Sequence, residues 1–253
     1  MLDDVRSCYA RIIEAIASYA KVILVGPEAP GEEYMPKGTL RANIKFVEVP
    51  TNDTWTRDYG PLVTVDENGD FIINDFKFNG WGLKFASDRD NLVTSNLVSR
   101  GFFNGVRTNR LGFVLEGGSI ESDGHGTLLT TEECLMSPNR NGDMNRGQIE
   151  EYLRRAFGLE RVLWLSEGAL EGDDTDGHID TLVRLAPPGD VIFYTGCHDT
   201  EDSHYECLQA MKKQLEELRT ASGQPYHLIE LPLPDAVYDP DDGTRLPATY
   251  ANF

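Results

Sequence analysis

Residues 173–180 read DDTDGHID and place four carboxylates and one histidine in eight positions, directly before the apolar run TLVRL. If HIDTLVRL is a strand, its two-residue period puts His178 and Asp180 side by side on one face and leaves the other face for packing. Two aligned titratable groups beside a glycine are typical of a functional site. The remaining acids have a simpler interpretation, because loop aspartates commonly cap backbone N–H groups: Asp173, Asp174 and Asp176.

Three stretches of the chain share one layout. In WTRDYGPLVTVDENGD, LEGGSIESDGHG and GHIDTLVRLAPPGD a charged residue opens a strand, and a glycine turn follows 10 or 11 residues later. The openers are Asp58, Glu116 and His178, spaced 58 and 62 residues apart. Such a repeat predicts modules of mixed α and β structure around an axis, with equivalent strand ends meeting at the centre. We therefore expect these side chains, together with Asp180, to line one cavity.

Each opener also has an ordinary structural interpretation. By strand alternation Trp55 and Arg57 share one face and Asp58 takes the other, but Arg57 and Asp58 could equally form an ion pair. Glu116 precedes two glycines, whose backbone freedom suits a buried carboxylate held close to the main chain. A glutamate that merely closes a loop is the alternative. The matching positions in all three repeats favour a site.

The rest of the chain predicts alternating helices and strands without an evident linker. Apolar spacing indicates helices at 3–20, 145–158 and 203–223 and strands at 21–26, 161–165 and 226–234. Asn145 is the expected N-cap of the second helix and Gly158 its stop, whereas Gly223 is the expected end of the third. The turns DENGD, SDGHG and APPGD predict hairpins.

The composition limits the classes of ligand. The 253 residues are 40% hydrophobic, which is enough for a substantial core. A net charge of −19, from 42 acidic and 23 basic residues, repels nucleic acid and anionic membranes and suits a small cationic substrate. No apolar stretch reaches the roughly 18 residues of a membrane span. The start MLDDVRSCYA has no basic segment followed by an apolar one, so we expect a cytoplasmic protein.

The cysteines and acids form no recognisable metal motif. The four cysteines include no CxxC pair, which argues against a disulfide framework and a thiolate metal site: Cys8, Cys134, Cys197 and Cys207. DDTDGHID fails as a calcium loop, because the sixth position counted from Asp174 is Ile179 rather than glycine. A further cluster matches no common zinc spacing: Cys197, His198, His204 and Cys207. We expect neither a metal nor another cofactor.

Several carboxylates and one histidine without a metal suit the recognition of a guanidinium group, whose planar N–H fork matches paired carboxylate oxygens. The guanidinium carbon is a poor electrophile. Its hydrolysis calls for a strong nucleophile, ideally a thiolate, and for a histidine that protonates the departing ammonia and then activates water. Two other functions stay open: a module that binds a cation without turnover, and a metal-dependent hydrolase that uses His178 and Asp180.

Six motifs between about Ile44 and Phe253 match a known family: NDTWTRDYGP, FNGWG, EGGSIESDGHGTLLTTEECL, NRN, GDDTDGHIDTLVRL and LPATYANF. On these motifs the chain resembles the agmatine deiminases and the related Porphyromonas-type peptidyl-arginine deiminases of the pentein superfamily. The resemblance implies a pentein-type five-fold α/β propeller of ββαβ modules and a metal-free deimination through a cysteine thiouronium intermediate. For agmatine the implied products are N-carbamoylputrescine and ammonia, a reaction of putrescine biosynthesis. Peptidyl arginine is the alternative substrate.

The resemblance also implies a role for each candidate residue. Asp58 and Asp180 look like the pair that grips the guanidinium nitrogens. His178 looks like the general acid and base, and Glu116 like the carboxylate that orients it. Trp55 resembles the tryptophan that lines the substrate channel of the family. Whether the acids at 173–176 also meet the distal amine of agmatine is left open at this point.

The chain departs from the family at its nucleophile. The family's nucleophilic cysteine lies in a late motif ending His-Cys, in the fifth module, whereas this sequence ends at TYANF, in the fourth. Cys197 precedes a histidine, but we expect it at the far end of the third hairpin from His178. The expectation is one deiminase-like domain over residues 1–253, with about four of five modules, incomplete at the C-terminus and at the N-terminus. Such a chain is expected not to deiminate agmatine alone. A second copy or a complementing C-terminal segment are the partners left open.

Overall fold

The computed structural model describes residues 2–186 and 189–252. The two prolines of the predicted APPGD turn and the last residue of the TYANF motif lie outside these ranges. The chain divides into two compact units, one formed by Met1–Thr54 and Ser87–Phe103 and the other by Trp55–Ala86 and Asn104–Phe253. All candidate site residues belong to the second unit. Across the described ranges, no helix combines the length and apolar character that a membrane crossing requires.

Helices and strands are interspersed along the described chain. The α-helices are α1 (Leu2–Ala17), α2 (Thr56–Tyr59), α3 (Gly80–Leu83), α4 (Val93–Ser99), α5 (Glu132–Leu135), α6 (Pro138–Asn141), α7 (Arg146–Phe157) and α8 (Tyr205–Glu217). The strands are β1 (Val22–Gly26), β2 (Ile44–Glu48), β3 (Leu62–Val65), β4 (Phe71–Lys77), β5 (Val106–Val114), β6 (Ile120–Ser122), β7 (Thr127–Thr131), β8 (Arg161–Leu165), β9 (Val183–Ala186), β10 (Val191–Gly196) and β11 (His227–Pro232). Short 3-10 helices at Gly117–Ser119 and Ile179–Thr181 bear on the site.

The first unit contains α1 and a parallel pair of strands, β1 and β2. The predicted helix at 3–20 and the strand at 21–26 are both confirmed. The apolar face of α1 is nevertheless open, since four of its side chains are between 44% and 48% exposed: Val5, Tyr9, Ile12 and Ile16. Helical spacing therefore predicted the element, but not the burial of its apolar face.

The second unit contains three sheets with one plan. Their members are β3, β4 and β5, then β6, β7 and β8, then β9, β10 and β11. In each sheet the first two strands form an antiparallel hairpin and the third pairs in parallel with the second. Helix α7 connects β7 to β8, and α8 connects β10 to β11. The predicted repeat and its three hairpins are confirmed, so the segments before β3, β6 and β9 occupy equivalent positions.

Helix α7 has the termini that its sequence predicts. The side chain of Asn145 accepts from the N–H of Gln148, and the side-chain oxygen of Gln148 accepts from the backbone N–H of Asn145. The helix ends at Gly158 in the left-handed conformation, with φ of 68°. It buries Ile149 and Leu153 completely, and the strand that follows, β8, has the predicted bounds.

Helix α8 is shorter than predicted, because it ends at Glu217 rather than at Gly223. Leu218 takes an extended backbone and packs against the core of buried apolar residues. Beyond it, the N–H of Gly223 donates to the carbonyl of Thr220 at 2.9 Å and closes a separate turn. Gly223 therefore serves a turn before β11, a role that a glycine at positive φ fills as readily as a helix end.

The segment before β9 is a helical turn rather than the predicted strand. Ile179–Thr181 form a 3-10 helix with His178 at its N-cap position, and β9 begins only at Val183. The turn is stabilised locally, because the carbonyl of His178 accepts from both the N–H and the hydroxyl of Thr181, at 3.3 and 2.8 Å. A helical turn therefore brings His178 and Asp180 together, and strand alternation does not apply to them.

The other two openers also belong to helical turns. Asp58 lies within α2, which makes the predicted alternation around it wrong as well, and Glu116 immediately precedes the 3-10 helix Gly117–Ser119. This central turn contacts both α2 and the turn Ile179–Thr181. The three equivalent turns thus meet, and the charged residues reach the site from turns that precede the strands.

Clusters of buried apolar side chains pack next to these turns. One cluster lies around the third sheet and α8, and its fully buried members include Leu182, Val183, Ile192 and Met211. A second cluster joins the second sheet to α7 and includes Leu115, Leu128, Leu135 and Leu153. Leu115 and Leu182 each stand next to a site turn, so the packing of the sheets determines where the turns lie.

Candidate active site

Gly118 lies where three candidate residues meet. A Cβ atom at this position would be 2.5 Å from Nδ1 of His178, 2.8 Å from Oδ1 of Asp58 and 2.9 Å from Oδ2 of Asp180. These separations are too short for a side chain of any size. All three surrounding side chains are buried, with at most 8% of each residue exposed. The repeat therefore places one imidazole and two carboxylates around a single glycine.

Two donors orient Asp58. Its Oδ1 accepts from the N–H of Gly118 at 2.9 Å, and its Oδ2 accepts from the indole Nε1 of Trp81 at 3.0 Å. Nδ1 of His178 lies 3.6 Å from Oδ1, close enough for an ion pair when the imidazole is protonated. Each carboxylate oxygen retains further acceptor capacity, so Asp58 can still accept hydrogen bonds from a ligand.

Asp180 is a buried carboxylate with one amide contact, from Nδ2 of Asn252 at 3.3 Å. Burial raises the pKa of Asp180 to about 6, an effect that His178 opposes and that the negative charge of Asp58 reinforces. The carboxylate is therefore ionised at neutral pH, at an electrostatic cost. A cation beside it would reduce that cost.

Glu116 is completely buried and paired with an equally buried arginine, Arg140. Nε of Arg140 lies 3.0 Å from each oxygen of Glu116. The other nitrogens of the guanidinium donate to Asp176 at 2.6 Å and to the carbonyl of Thr175 at 2.8 Å. Arg140 thus connects Glu116 to the segment that leads into His178. The side chains of Glu116 and His178 approach within 4.8 Å of each other.

The family model described as Porphyromonas-type peptidyl-arginine deiminase matches residues 1–253 of the chain. The chain belongs to this family. The agmatine deiminases of Stutzerimonas stutzeri and Pseudomonas aeruginosa are each 34% identical to it, with 98% of this chain matching 72% of theirs. A solved Porphyromonas gingivalis protein shares 47% identity at a TM-score of 0.94, covering 100% of this chain and 74% of its own. The solved C. jejuni agmatine deiminase with substrate bound shares 39% identity at a TM-score of 0.88, and the match covers 100% of this chain and 71% of that one.

These likenesses confirm the predicted fold class, a pentein-type α/β fold. The family's named enzymes are deiminases, which are C–N hydrolases, so the predicted enzyme class is confirmed at the level of the family. The number of modules, about four of five, stays a prediction. So do the individual roles of the site residues.

In this family member the acidic residues before His178 form a loop over residues 172–177, which we call the entrance loop. Asp173 caps it from within, since its carboxylate accepts from the N–H groups of Thr175 at 2.9 Å and Gly177 at 3.0 Å. The predicted capping role is confirmed for Asp173. Its effect is to hold the loop in a compact turn immediately before the histidine.

Asp176 does something different from capping, so that interpretation is wrong for it. Its two oxygens form ion pairs with Arg140 at 2.6 Å and with Lys84 at 2.5 Å, and its backbone is left-handed, with φ of 64°. Lys84 also donates to the carbonyl of Asp174 at 2.6 Å. The two basic side chains therefore tie the entrance loop to the rest of the site.

Trp55 and Arg57 flank Asp58 without enclosing it. The side chain of Trp55 is 59% exposed at the start of α2. Arg57 is exposed as well, and the ion pairs of the described residues do not join it to Asp58, so the alternative of a simple ion pair is wrong. The backbone of α2 packs tightly on the turn after Glu116, because a Cβ at Gly117 would lie 2.0 Å from the carbonyl oxygen of Arg57.

The turn α3 that carries Trp81 runs in the left-handed conformation from Gly80 to Leu83. For Trp81 (φ 54°) and Leu83 (φ 71°) this conformation costs energy, since both carry a Cβ. Asn79 holds the turn, because its side-chain oxygen accepts an N–H of the turn at 3.0 Å. The result is an indole N–H directed at Asp58.

Four residues at the site have no role in the predictions from the sequence: Trp81, Cys134, Arg140 and Asn252. Each lies in a motif that carried the resemblance, namely FNGWG, EECL, NRN and TYANF. A signal was therefore present at the level of the motif. Their contacts join segments far apart in the chain, and spacing along the sequence does not reveal such contacts.

Cys134 lies at the site and is completely buried. Its sulfur and the ligand atoms of Glu116 and His178 all lie within 4.8 Å of one another. Burial raises the pKa of the Cys134 thiol well above its usual range, and Glu116 raises it further against the opposing effect of Arg140. Nε2 of His178 is buried and has no hydrogen-bond partner within the described ranges. Chemically, these three side chains could hold a metal ion.

The predicted location of Cys197 at the far end of its hairpin from His178 is wrong. Strands β9 and β10 are antiparallel, and the N–H of Thr195 donates to the carbonyl of Leu182 at 2.8 Å, so Cys197 follows at the same end as His178. Its thiol nevertheless belongs to the core and lies 3.6 Å from the carbonyl of Asp199. All four cysteines are unbridged, as predicted.

Proposed function

We propose that this site binds agmatine and hydrolyses its guanidinium group, giving N-carbamoylputrescine and ammonia. One observation carries the proposal: Asp58 and Asp180 are buried carboxylates that converge on Gly118, and neither has a lysine or arginine partner among the ion pairs of the described residues. Buried charge without a counter-charge is costly. A guanidinium supplies that charge and a planar set of N–H donors that carboxylates accept.

The charge of the site favours a substrate with two positive charges. Among the described side chains joined by direct contacts at the site, four carboxylates stand against two basic side chains: Asp58, Glu116, Asp176 and Asp180 against Lys84 and Arg140. Arg57 and Arg184 also act on Asp180, but without a direct ion pair to it among the described residues. The excess is two negative charges when His178 is neutral. Agmatine carries one positive charge on its guanidinium and one on its amine at neutral pH, so it balances this excess.

His178 is proposed as the general acid and base. A thiolate attacks the guanidinium carbon, and His178 gives a proton to the departing ammonia, which leaves a thiouronium on sulfur. His178 then takes a proton from water, whose oxygen adds to the same carbon. The carbon–sulfur bond breaks, the added hydroxyl gives up its proton to solvent, and the ureido product and the thiolate are released. Asp58, 3.6 Å from Nδ1, stabilises the protonated imidazole, and the proposed role of Glu116 is to orient the ring.

The nucleophile in this proposal is a cysteine of the late His-Cys motif that the family resemblance implies. Cys134 is the nearby thiol, but its raised pKa keeps it protonated at neutral pH, and a thiol is a much weaker nucleophile than a thiolate. Cys197 is packed in the core. We therefore assign the attacking sulfur to neither.

Binding and turnover are tested separately. Calorimetry measures agmatine binding to the purified chain, and ammonia release is followed with this chain and with a version carrying the late His-Cys segment of a relative. We expect His178→Ala to abolish ammonia release, and Asp180→Asn to weaken binding and turnover together because a charged contact is lost. Near-normal rates in both variants would reject the assigned site.

Peptidyl arginine is the second candidate, because the family model that matches the chain is described as a peptidyl-arginine deiminase. An arginine residue in a peptide presents the same guanidinium but lacks the second charge of agmatine. Competition between agmatine and an arginine-containing peptide distinguishes the two. Tight agmatine binding without ammonia release from either version would instead support a binding module.

A further inference from the structure

The deiminase chemistry leaves Cys134 without a task, although it lies beside two proposed catalytic residues. Glu116, Cys134 and His178 come from three separate segments, and their ligand atoms lie within 4.8 Å of one another. Glu116 and Cys134 are completely buried, and His178 is 2% exposed. A fully buried glutamate is uncommon unless it is paired, and Glu116 has both an arginine partner and these two neighbours.

The three ligand types together define a class of ion. A sulfur, an imidazole nitrogen and a carboxylate oxygen are the donors that bind Zn²⁺ and similar first-row transition ions. Oxygen-preferring ions such as Mg²⁺ and Ca²⁺ do not suit a thiolate ligand. An independent observation also points to a ligand: Nε2 of His178 is buried without a hydrogen-bond partner in the described ranges, so its lone pair or proton is unsatisfied.

The surrounding charge favours a dication. The four site carboxylates exceed the two basic side chains by two charges. Burial raises the pKa of the Cys134 thiol, but a coordinating metal ion reverses this effect and removes the proton. Arg140 competes for Glu116 through Nε, 3.0 Å from each oxygen, yet each of these oxygens has a second lone pair.

We propose that Glu116, Cys134 and His178 form an inhibitory site for Zn²⁺ or a related transition ion. Binding releases one proton from the thiol to solvent and leaves a fourth coordination position for water. Zinc bonds of about 2.0–2.3 Å place tetrahedral ligands roughly 3.3–3.8 Å apart, so ligand atoms that lie within 4.8 Å of one another need to approach by no more than about 1.5 Å on binding. The ion then occupies the lone pair of one imidazole nitrogen of His178. The ring can therefore no longer exchange the protons that the proposed mechanism requires.

Metal binding to the purified chain tests this directly. Zn²⁺ is titrated in competition with a chromophoric chelator, and Co²⁺ is used as a spectroscopic substitute. We expect one tightly bound ion and a thiolate-to-cobalt charge-transfer band. Cys134→Ser should weaken binding at least tenfold and remove the band, whereas Cys8→Ser and Cys207→Ser should change neither.

Two outcomes would overturn the proposal. One is Zn²⁺ affinity and a cobalt band that survive in a folded Cys134→Ser protein, with folding checked by thermal denaturation. The other is a Co²⁺ complex of the unmodified chain without a thiolate band, a result that needs no variant. Neither measurement involves agmatine, so metal binding is tested independently of the proposed deiminase activity, on which only the inhibitory effect rests. Ammonia release stimulated by Zn²⁺ would also contradict inhibition and would favour a metal-dependent hydrolase.

Discussion

At the scale of single residues, the site depends on the absence of a Cβ at Gly118 as much as on the side chains around it. Its N–H donates to Asp58, and the absence of a Cβ leaves the space where His178 and Asp180 approach the backbone. The ion pairs of the described residues join neither Asp58 nor Asp180 to a lysine or arginine, whereas they pair Glu116 with Arg140. This difference separates carboxylates available to a cationic ligand from a carboxylate already neutralised by the protein.

Gly118→Ala should abolish agmatine binding, because its methyl group would lie 2.5–2.9 Å from three site atoms. The folded state should lose about 1–3 kcal/mol, the usual cost of overpacking. Calorimetry and urea denaturation measure the two effects. Gly112→Ala is the matched control, since a Cβ there meets nothing within 4 Å and the residue is not at positive φ. Unchanged binding in Gly118→Ala would show that agmatine does not occupy this space.

Arg140→Gln should destabilise the folded state by about 3–5 kcal/mol. The buried charge of Glu116 would lose its counter-charge, and Asp176 would lose one of its ion pairs. Urea denaturation measures the loss. The exposed pair between Arg155 and Glu151 on α7 supplies the control, and Arg155→Gln should cost less than about 0.5 kcal/mol. Similar losses in the two variants would mean that the buried pair is not a major contributor to stability.

At the scale of elements, helical turns rather than strands present the charged residues. The turn containing Asp58, the turn after Glu116 and the turn after His178 all precede the first strand of a hairpin, and the middle turn contacts the other two. The left-handed turn α3 adds the indole of Trp81 to this group. Its strained backbone is retained where it directs a hydrogen bond at the site, a common location for such strain.

Trp81→Phe should weaken agmatine binding by at least about tenfold, since Asp58 loses a charge-assisted hydrogen bond worth roughly 1.5–3 kcal/mol. The folded state should also lose roughly 1.5–3 kcal/mol, because this hydrogen bond forms without ligand, although the new ring can keep the edge contact with Phe78. Trp164→Phe is the control: it removes an indole hydrogen bond to Glu150, at 2.8 Å, outside the site. Equal effects of both variants on agmatine affinity would contradict a specific role for Trp81.

At the scale of the whole molecule, the last part of the described chain is tied to the third sheet and to the site. Arg245 forms two hydrogen bonds with Asp202, at 2.8 and 3.2 Å, and Asn252 reaches Asp180. Hydrogen bonds hold the pKa of Asp202 well below its usual range, and the largest effect comes from Arg245. Burial opposes this shift, but its effect is smaller. The residues after β11 therefore contribute to both stability and the site.

This pair predicts a pH dependence of stability. The folded-state pKa of Asp202 is depressed, so its stabilising effect is fully present above the unfolded value of 3.8 and is lost as pH falls below it. Urea denaturation between neutral pH and the acidic range measures the loss. Asp202→Asn should lower stability near pH 7 by roughly 1–3 kcal/mol and flatten the acidic decline. As a control, Asp143→Asn at an exposed position should leave the pH profile of stability unchanged. An unchanged profile in Asp202→Asn would show that the pair with Arg245 does not contribute to stability.

Much of the fold could be predicted from local patterns. The capping residues of α7, the bounds of β8 and the glycine turns between β3 and β4 and between β6 and β7 depend on interactions within a few residues, which the sequence displays directly. The end of α8 and the turn at His178 could not be predicted in this way. In both places the local pattern admitted two structures, and contacts with the core or a side-chain hydroxyl selected one of them.

The sequence by itself determined the repeat, the charged residue at each equivalent position and the family, because these depend on residue type and spacing. Only the tertiary structure decided which carboxylates are compensated. Arg140 reaches Glu116 across 24 positions and Asp176 across 36, and Trp81 reaches Asp58 across 23. Such partners are selected by packing in three dimensions, since burial makes an unpaired charge costly wherever its partner stands in the chain.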